Sequence, residues 1–323
     1  MKNYLITGGG GFIGGHLITS LLNLVDTGSI LILDIQPASG FEDKRVKYQY
    51  WDIRQIAEFN LSEEYEVCIH LAALCKEPGF SWEEYFETNY IGTKNVLDLC
   101  DRLQIKKVLF TSTMMVYKAG EERRDENSLT APDTAYGISK LLAEKEIQCW
   151  AENDNLKSYG ILRPSVVFGE NERGNFTRLY YGIKSNRFGY VGRKTTVKSC
   201  VYVKDVCQCL IYLSKLELRE IYNFAFIVDY QIGQIVKQFK GVFQLKAMIP
   251  TLPLWLLMPV SRFFLMLNQL GMKNSIHPRR IQKLYFSTNI DSQKIIDMGF
   301  NFSFDLESAL KDWKNDCNNK DLY

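Results

Sequence analysis

Short apolar runs alternate with longer stretches of mixed polarity along the first two thirds of the chain. Each run has four or five residues and is followed by enough chain for a helix. Continuous apolar runs of this length are typical of strands that are buried on both faces of a parallel sheet. The pattern predicts strands at residues 4–7, 30–34, 67–70, 107–110 and 158–162.

The intervening stretches place apolar residues at helical spacing, which predicts helices at residues 14–25, 83–103 and 136–153. Strands that alternate with helices indicate an α/β fold built on a Rossmann-type, doubly wound parallel sheet. The regular alternation ends near residue 170. We therefore expect a first domain at residues 1–170 and a smaller C-terminal lobe at residues 171–323, some of whose segments return to the first domain.

Charge and cysteine spacing narrow the class of protein. Lysine and arginine residues number 39 and acidic residues 37, and a formal charge of +2 excludes a protein that grips nucleic acid along a basic face. The eight cysteines include no CxxC pair, so they indicate neither a metal site nor a disulfide framework. No secretory signal precedes the first predicted strand, and we expect a cytoplasmic protein with reduced thiols.

One stretch raises the question of a membrane span. Residues 247–270 are strongly apolar, but Pro250, Pro253 and Pro259 interrupt them and Arg262 adds a charge. A spanning helix needs roughly 18 to 20 apolar residues without such breaks, so we expect no span here. The stretch either packs inside the second lobe, forms an interface between subunits, or makes a peripheral contact with a membrane surface.

A glycine-rich turn follows the first predicted strand. Gly8 would permit a tight bend, Gly11 a close backbone approach to a pyrophosphate, and Gly14 the packing of the next helix on the strand. The second predicted strand ends in Asp34, about 20 residues farther on, where an acid accepts hydrogen bonds from the adenosine ribose and repels a 2′-phosphate. The spacing predicts a dinucleotide site whose cofactor is NAD.

Tyr136 and Lys140 stand four residues apart in the third predicted helix, which places them on one face about one turn apart. A nearby ammonium stabilises a phenolate and lowers the pKa of a tyrosine from about 10. Tyr136 is therefore a candidate proton acceptor for a substrate hydroxyl. The fourth predicted strand leads into the hydroxyl residues 111–113, at the sheet edge where doubly wound folds bind ligands.

These motifs, in this order, resemble the extended short-chain dehydrogenase/reductase superfamily, which contains NAD-dependent epimerases and dehydratases. The likeness also rests on Asp52-Ile53-Arg54, His70-Leu71-Ala72-Ala73 and Asn89. It implies that Thr113, Tyr136 and Lys140 are catalytic and that Asp52 meets the adenine. The cofactor contacts that it implies are Gly8, Gly11, Phe12, Ile13, Gly14, Asp34, Asp52, Ile53, Leu71, Ala72, Ala73, Asn89, Tyr136 and Lys140.

The residues after Thr113 bear on the reaction. Dehydratases of the superfamily carry Asp-Glu there, because elimination of water needs a further acid and base, whereas this chain has Met114-Met115. The resemblance therefore implies a sugar 4-epimerase. In that reaction Tyr136 deprotonates the C4 hydroxyl, C4 is oxidised with NAD⁺ as hydride acceptor, and the hydride returns to the other face of the rotated keto-sugar. An NAD(P)H-dependent 4-ketosugar reductase is an alternative.

Within the superfamily the chain is most similar to the N-acetylglucosaminyl-diphospho-undecaprenol 4-epimerases of bacterial O-antigen and polysaccharide synthesis. This likeness implies polyprenyl-diphospho-GlcNAc as the substrate, with a UDP-sugar as the alternative. It places Thr113, Asn175, Lys198 and Arg280 at the substrate, the last two around its diphosphate. We also expect a homodimer that works in the cytoplasm, peripherally at the inner face of the cytoplasmic membrane.

Overall fold

The computed structural model describes residues 1–37, 40–59, 61–77, 79–269, 278–318 and 321–322, with the backbone alone at 268–269, 278–280 and 283. The strands are β1 (Lys2–Thr7), β2 (Thr27–Asp34), β3 (Val46–Tyr50), β4 (Val67–His70), β5 (Lys107–Thr111), β6 (Gly120–Arg124), β7 (Ser158–Pro164), β8 (Val166–Phe168), β9 (Tyr190–Val191), β10 (Cys200–Tyr202), β11 (Arg219–Phe224), β12 (Thr251–Leu252) and β13 (Thr288–Ile290). The helices are α1 (Phe12–Leu22), α2 (Trp82–Phe86), α3 (Gly92–Arg102), α4 (Ala135–Glu152), α5 (Asn175–Lys184), α6 (Val203–Ser214), α7 (Ile232–Val242), α8 (Leu254–Gln269), α9 (Pro278–Tyr285), α10 (Gln293–Asp297) and α11 (Leu306–Asp316). A π-helical turn, Glu87–Ile91, joins α2 to α3, and a 3₁₀ turn, Met114–Val116, follows β5.

The central sheet is parallel throughout the described strands, in the order β3-β2-β1-β4-β5-β7-β11. The direction of winding reverses between β1 and β4, where Thr7 pairs with Leu33 on one side and His70 on the other. In open α/β sheets a ligand crevice forms outside the carboxyl ends of the strands at such a reversal. The predicted doubly wound Rossmann-type sheet is therefore confirmed, with its crevice at the end of β1.

Two apolar layers enclose the sheet because successive side chains of a strand point to opposite faces. In β1, Tyr4 and Ile6 pack into the layer formed with α1 and α6, whereas Leu5 packs into the layer formed with α3 and α4. Leu17 of α1 and Val96 of α3 are fully buried in the respective layers. This arrangement explains why the middle positions of the central strands are apolar on both faces.

The predicted strands and helices all exist, with shifts at their ends. The predicted helix at 14–25 is Phe12–Leu22, and the one at 136–153 is Ala135–Glu152. The predicted helix at 83–103 is divided by the π-helical turn into α2 and α3. The edge strands β3 and β11 were not predicted.

Segments beyond residue 171 serve both parts of the molecule. Strand β11 pairs with β7 and completes the central sheet, and α6 packs against α1, where the Cys207 thiol lies 3.8 Å from the Ile13 carbonyl oxygen. Strand β10 pairs with β8, and β12 pairs with β9. Because β8 follows β7 directly, the β8–β10 pair lies at the carboxyl end of the central sheet.

Residues 254–269 of the apolar stretch form a single helix, α8, that contains Pro259. Proline lacks the amide hydrogen that would bond to the carbonyl four residues back, yet the helix continues beyond it. This continuation was not predicted from the sequence. Among the helices of the described residues, none has the length and apolar content needed to cross a membrane.

Candidate active site

The turn between β1 and α1 has no room for side chains at two of its glycines. Gly8 has a φ of +74°, and a Cβ there would lie 2.5 Å from the amide nitrogen of Ala72. A Cβ at Gly14 would lie 2.5 Å from the carbonyl oxygen of Gly8. Gly11 is the N-cap of α1 and makes no side-chain cap, so the first N–H groups of the helix can bind an anion.

Asp34 lies at the carboxyl end of β2, on the rim of this turn. Its carboxylate accepts hydrogen bonds from the backbone N–H groups of Gly10 and Gln36, both at 3.0 Å. A carboxylate has about four acceptor sites, so further sites remain for ribose hydroxyls. Phe12 and Ile13, the first residues of α1, are half-buried. The start of α1 can bind a pyrophosphate, and the Asp34 carboxylate can bind a ribose. Both groups are parts of NAD.

Asp52 and Ile53 follow the edge strand β3, whose neighbour in the sheet is β2. The guanidinium of Arg54 hydrogen-bonds the Asp52 carboxylate, with Nη2 at 2.5 Å from Oδ2, and lowers the pKa of that carboxyl. Ile53 is buried against α3, where a Cβ at Gly92 would lie 2.7 Å from its Cδ1. The structure thus places both residues near the Asp34 end of the crevice, and their contact with adenine stays a prediction.

Asn89 lies in the π-helical turn and ties two parts of the site together. Its side chain donates to the Leu74 carbonyl and to the Ser139 hydroxyl, each at 3.0 Å, and accepts from the Leu74 N–H at 2.8 Å. Both N–H groups of the amide are therefore used by protein atoms. Asn89 joins α4 to the loop after β4, which carries the half-buried Leu71, Ala72 and Ala73. Direct contact between Asn89 and the cofactor stays a prediction.

The structure brings the three predicted catalytic residues into one buried cluster. Thr113 follows β5, and Tyr136 and Lys140 lie in the first two turns of α4. The hydroxyl of Thr113 lies beside the phenol of Tyr136 and favours its ionised form. Thr134 caps α4 by accepting the N–H of Gly137 at 3.1 Å, which fixes the start of the helix beside Tyr136.

Gly137 allows α4 to approach the turn that carries Thr113. A Cβ at this position would overlap the carbonyl oxygen of Met115, in the 3₁₀ turn directly after Thr113. The close approach places Tyr136 beside the turn that carries Thr113. Gly137 was not predicted from the sequence, although a glycine directly after the tyrosine was a usable signal.

Burial sets the proton affinities of Tyr136 and Lys140. Burial raises the pKa of the Tyr136 phenol above its usual value, and the nearby Thr113 hydroxyl opposes this rise only in part. Burial lowers the pKa of Lys140 to about 7, and its ammonium lies 3.9 Å from the centroid of the Phe110 ring. The expectation that Lys140 lowers the pKa of Tyr136 therefore needs correction: in this structure loss of solvation dominates both groups.

A buried ion pair lies next to the cluster and was missed in the sequence. Glu144, one turn beyond Lys140, accepts hydrogen bonds from the Ser112 hydroxyl at 2.5 Å and from Arg163 Nε at 2.9 Å and Nη2 at 2.6 Å. Arg163 also donates to the Tyr117 hydroxyl at 2.7 Å. Buried ion pairs persist where further hydrogen bonds satisfy both partners. This pair fixes α4, the end of β5 and β7 relative to one another.

The predicted substrate residues lie in the second lobe and are less closely grouped. Asn175 is the exposed first residue of α5. Lys198 is half-buried, and its ammonium donates to the Phe286 carbonyl at 2.5 Å. Arg280 lies in α9, the helix that leads to Phe286, but its side chain is outside the described residues. The joint binding of a diphosphate by Lys198 and Arg280 stays a prediction.

Relatives of the chain were found by sequence. The model of the NAD dependent epimerase/dehydratase family matches residues 4–225. The N-acetyl-alpha-D-glucosaminyl-diphospho-ditrans,octacis-undecaprenol 4-epimerase of Escherichia coli O157:H7 is 27% identical over 319 residues, covering 95% of this chain and 93% of the relative. The dTDP-D-glucose 4,6-dehydratase of Dictyostelium discoideum is 26% identical over 266 residues, covering 73% of this chain and 60% of the relative.

Solved structures show the same fold. The UDP-N-acetylglucosamine 4-epimerase of Bacillus cereus superposes with a TM-score of 0.74 at 19% identity, covering 98% of this chain and 100% of that one. The UDP-glucuronic acid 4-epimerase of the same organism, solved with NAD, gives a TM-score of 0.74 at 20% identity and covers 98% and 99%. Family match, glycine turn and Asp34 agree: the chain belongs to the NAD dependent epimerase/dehydratase family of extended short-chain dehydrogenases/reductases, and NAD is its cofactor.

Proposed function

We propose that the protein is an NAD-dependent sugar 4-epimerase that acts on polyprenyl-diphospho-GlcNAc. The observation that carries this proposal is the buried Thr113–Tyr136–Lys140 cluster at the carboxyl edge of the sheet, with Met114 and Met115 where a dehydratase has acids. The similarity to a polyprenyl-linked sugar epimerase extends over 95% of the chain and supports the choice of substrate.

The side chains of this site would divide the work of proton transfer. NAD supplies a reversible hydride acceptor when it is bound. Tyr136 accepts the proton of the C4 hydroxyl and later returns it, while the Thr113 hydroxyl orients the same oxygen. In its protonated form Lys140 would favour the ionised phenol, and its charge would count for more in a site from which water is excluded.

The second lobe would bind the rest of the substrate. We propose that residues 171–323 form mainly a substrate-binding lobe in which Asn175, Lys198 and Arg280 contact the sugar diphosphate. Cations suit this task because charge-assisted bonds to phosphate oxygens are strong. We further propose that the enzyme is a homodimer and works at the inner face of the cytoplasmic membrane, where a polyprenyl-linked sugar is presented.

A UDP-sugar 4-epimerase is the second candidate. It is favoured by the solved structures of similar fold, several of which are epimerases of UDP-linked sugars. Both candidates use the same chemistry at C4, and they differ only in what is attached to the diphosphate.

The test is to incubate the protein with polyprenyl-diphospho-GlcNAc and, separately, with UDP-GlcNAc, and to resolve the C4 epimers. We expect epimerisation of the polyprenyl substrate without added cofactor, and little turnover of UDP-GlcNAc. The reverse preference would transfer the assignment to the UDP-sugar enzyme. Consumption of external NAD(P)H with a 4-ketosugar substrate would instead indicate a reductase.

A further inference from the structure

Helix α8 presents apolar side chains to solvent along one side. Trp255 is 76% and Phe263 56% exposed, and Leu256, Val260 and Met266 are exposed as well. At 3.6 residues per turn these positions fall within about 140° of the helix circumference, which places them on one face. We call these five residues the apolar face of α8. The opposite side is held by the second lobe, since Ser261 is fully buried and α8 packs against α9.

This face has the character of an interaction surface. A surface helix of a globular protein normally turns polar residues to water. Here the half-buried inner side, with Leu257 and Phe264, is apolar too. Contiguous apolar patches of this kind mark contacts with a partner or a membrane. The sequence left three possibilities for this stretch: burial in the second lobe, an interface between subunits and a membrane contact. Burial does not fit Trp255 and Phe263, because both side chains are exposed.

A pocket of about 260 Å³ beside the start of α8 is lined by Lys194, Lys237 and Lys240. The Lys240 ammonium donates to the Ala247 carbonyl at 2.6 Å, and the Lys194 ammonium lies 5.3 Å from the Tyr190 ring centroid. No carboxylate of the described part of the chain lines this pocket. We call the three residues the lysine cluster, and its charge favours an anionic partner.

The lysine cluster and the apolar face adjoin along the chain. Ile249 lines the pocket, and so does Tyr190, which pairs with Thr251 of β12 and donates its N–H to the Pro250 carbonyl at 2.9 Å. Strand β12 leads through Pro253 directly into α8, where the N–H of Leu256 donates to the Pro253 carbonyl at 3.1 Å. Trp255 therefore follows the pocket by six residues.

We propose that the apolar face of α8 and the lysine cluster together form a docking surface for an anionic lipid bilayer. Aromatic and aliphatic side chains insert at the boundary between headgroups and acyl chains, while nearby lysines meet the anionic headgroups. A second copy of the chain would bring a like-charged cluster, which opposes pairing through this surface. The inference rests on the proposed function, because a polyprenyl-linked substrate would be reached from that bilayer.

The test is sedimentation of the full chain with vesicles of phosphatidylglycerol and phosphatidylcholine, compared with vesicles of phosphatidylcholine alone. We expect binding to the anionic vesicles that weakens as salt rises. Trp255→Glu with Phe263→Glu should lower this binding by about tenfold or more, because charge must then enter the interface. The matched control is Val25→Glu with Leu156→Glu, at positions that are 94% and 75% exposed elsewhere, and it should bind like the wild type.

A second pair of substitutions tests the proposal if the Trp255→Glu, Phe263→Glu variant fails to fold. Lys194→Glu with Lys237→Glu should remain folded, because Lys237 and Lys194 are exposed, and should lose the preference for anionic vesicles. Unchanged binding of this variant would overturn the proposal. A wild-type oligomer that dissociates when Trp255 and Phe263 are replaced would also overturn it, in favour of an interface between copies.

The epimerase assignment is checked separately with a short, water-soluble polyprenyl-diphospho-GlcNAc in the absence of vesicles. The docking variants should turn over this substrate at wild-type rates. Failure of every protein, wild type included, would contradict the proposed function and leave the vesicle result standing. Normal turnover without vesicle binding by the wild type would contradict the docking surface alone.

Discussion

At the scale of single residues, the candidate site depends on polar groups that are held away from water. Thr113, Tyr136 and Lys140 are buried, and the Thr113 hydroxyl lies beside the Tyr136 phenol. Burial favours the protonated phenol and makes the Lys140 ammonium easier to deprotonate. The phenol must therefore lose its proton before Tyr136 can accept one from a substrate hydroxyl, and a positive charge close to it favours that loss.

Replacement of the phenol tests this assignment directly. Tyr136→Phe should reduce epimerisation by at least about a hundredfold, since the proton-transfer group is lost, while NAD content and melting temperature stay close to those of the wild type. The matched control is Tyr85→Phe, whose ring lies 6.2 Å from that of Tyr136 and whose hydroxyl donates to the Lys76 carbonyl. Turnover by the Tyr136 variant near the wild-type rate would rule out Tyr136 as the base.

Lys140 gives a prediction about stability and pH. Its pKa falls from 10.5 to about 7 on folding, so between these values the unfolded chain binds more protons and stability rises with pH. Below about pH 7 the ammonium is charged in both states, and its burial destabilises the fold in full. In cofactor-free protein, Lys140→Met should therefore melt above the wild type at about pH 6, by several degrees, and this advantage should shrink toward pH 10.

The control for this effect is Lys215→Met, which removes an exposed lysine. Its difference in melting temperature from the wild type should stay constant across the same pH range. A constant difference for Lys140→Met as well would show that the buried ammonium does not titrate in this window.

At the scale of elements, the distance between α4 and the turn after β5 sets the geometry of the cluster. Gly137→Ala should push the helix away from the Met115 carbonyl, with a cost of about 1–3 kcal/mol and a fall in turnover as Tyr136 leaves Thr113. Gly241→Ala in α7 makes the same change in open space and should be neutral or slightly stabilising. Denaturant unfolding and turnover of the two variants give the comparison, and equal behaviour would contradict the packing argument.

Some elements could be predicted from the sequence because burial on both faces makes a strand apolar throughout. The edge strands β3 and β11 lack this signal: β3 is largely exposed, and β11 begins with the exposed Arg219 and Glu220. The continuity of α8 could not be predicted, because a proline such as Pro259 usually ends a helix. In the structure Pro259 removes one hydrogen bond, and the helix continues on both sides of it. Local patterns thus predicted the interior of the sheet and missed its borders.

The same limit applies to the site. The glycines of the turn lie within seven residues of one another, and Tyr136 and Lys140 lie four residues apart. Their spacing alone was therefore enough for a prediction. The Glu144–Arg163 pair joins two segments that only the completed sheet brings together, and neither residue stands in a recognisable spacing. The pKa of Tyr136 was also beyond sequence reasoning, because spacing reveals a neighbouring charge but not the loss of solvent around the phenol.

At the scale of the whole molecule, the parallel sheet brings the glycine turn after β1 and the predicted catalytic residue Thr113 after β5 to the same edge. Segments β11 and α6 from the later part of the chain complete the sheet and cover α1. Segments from both parts of the chain therefore support α1 and the glycine turn that precedes it. Tight retention of cofactor suits a reaction that returns its hydride within each turnover.

The last prediction follows from the return of the hydride within each turnover. The purified protein should release NAD on denaturation and should epimerise its substrate without net formation of reduced cofactor. Asp34→Ala should lower retention of NAD by roughly tenfold or more, since the ribose hydroxyls lose a charged acceptor. The matched control is Asp26→Ala, an exposed acid before the opposite end of β2, which should retain NAD fully. Release of NADP instead, or turnover that consumes external NADH in proportion to product, would exclude a hydride-returning NAD enzyme, because in such an enzyme the bound NAD acts as a catalyst and is regenerated in place.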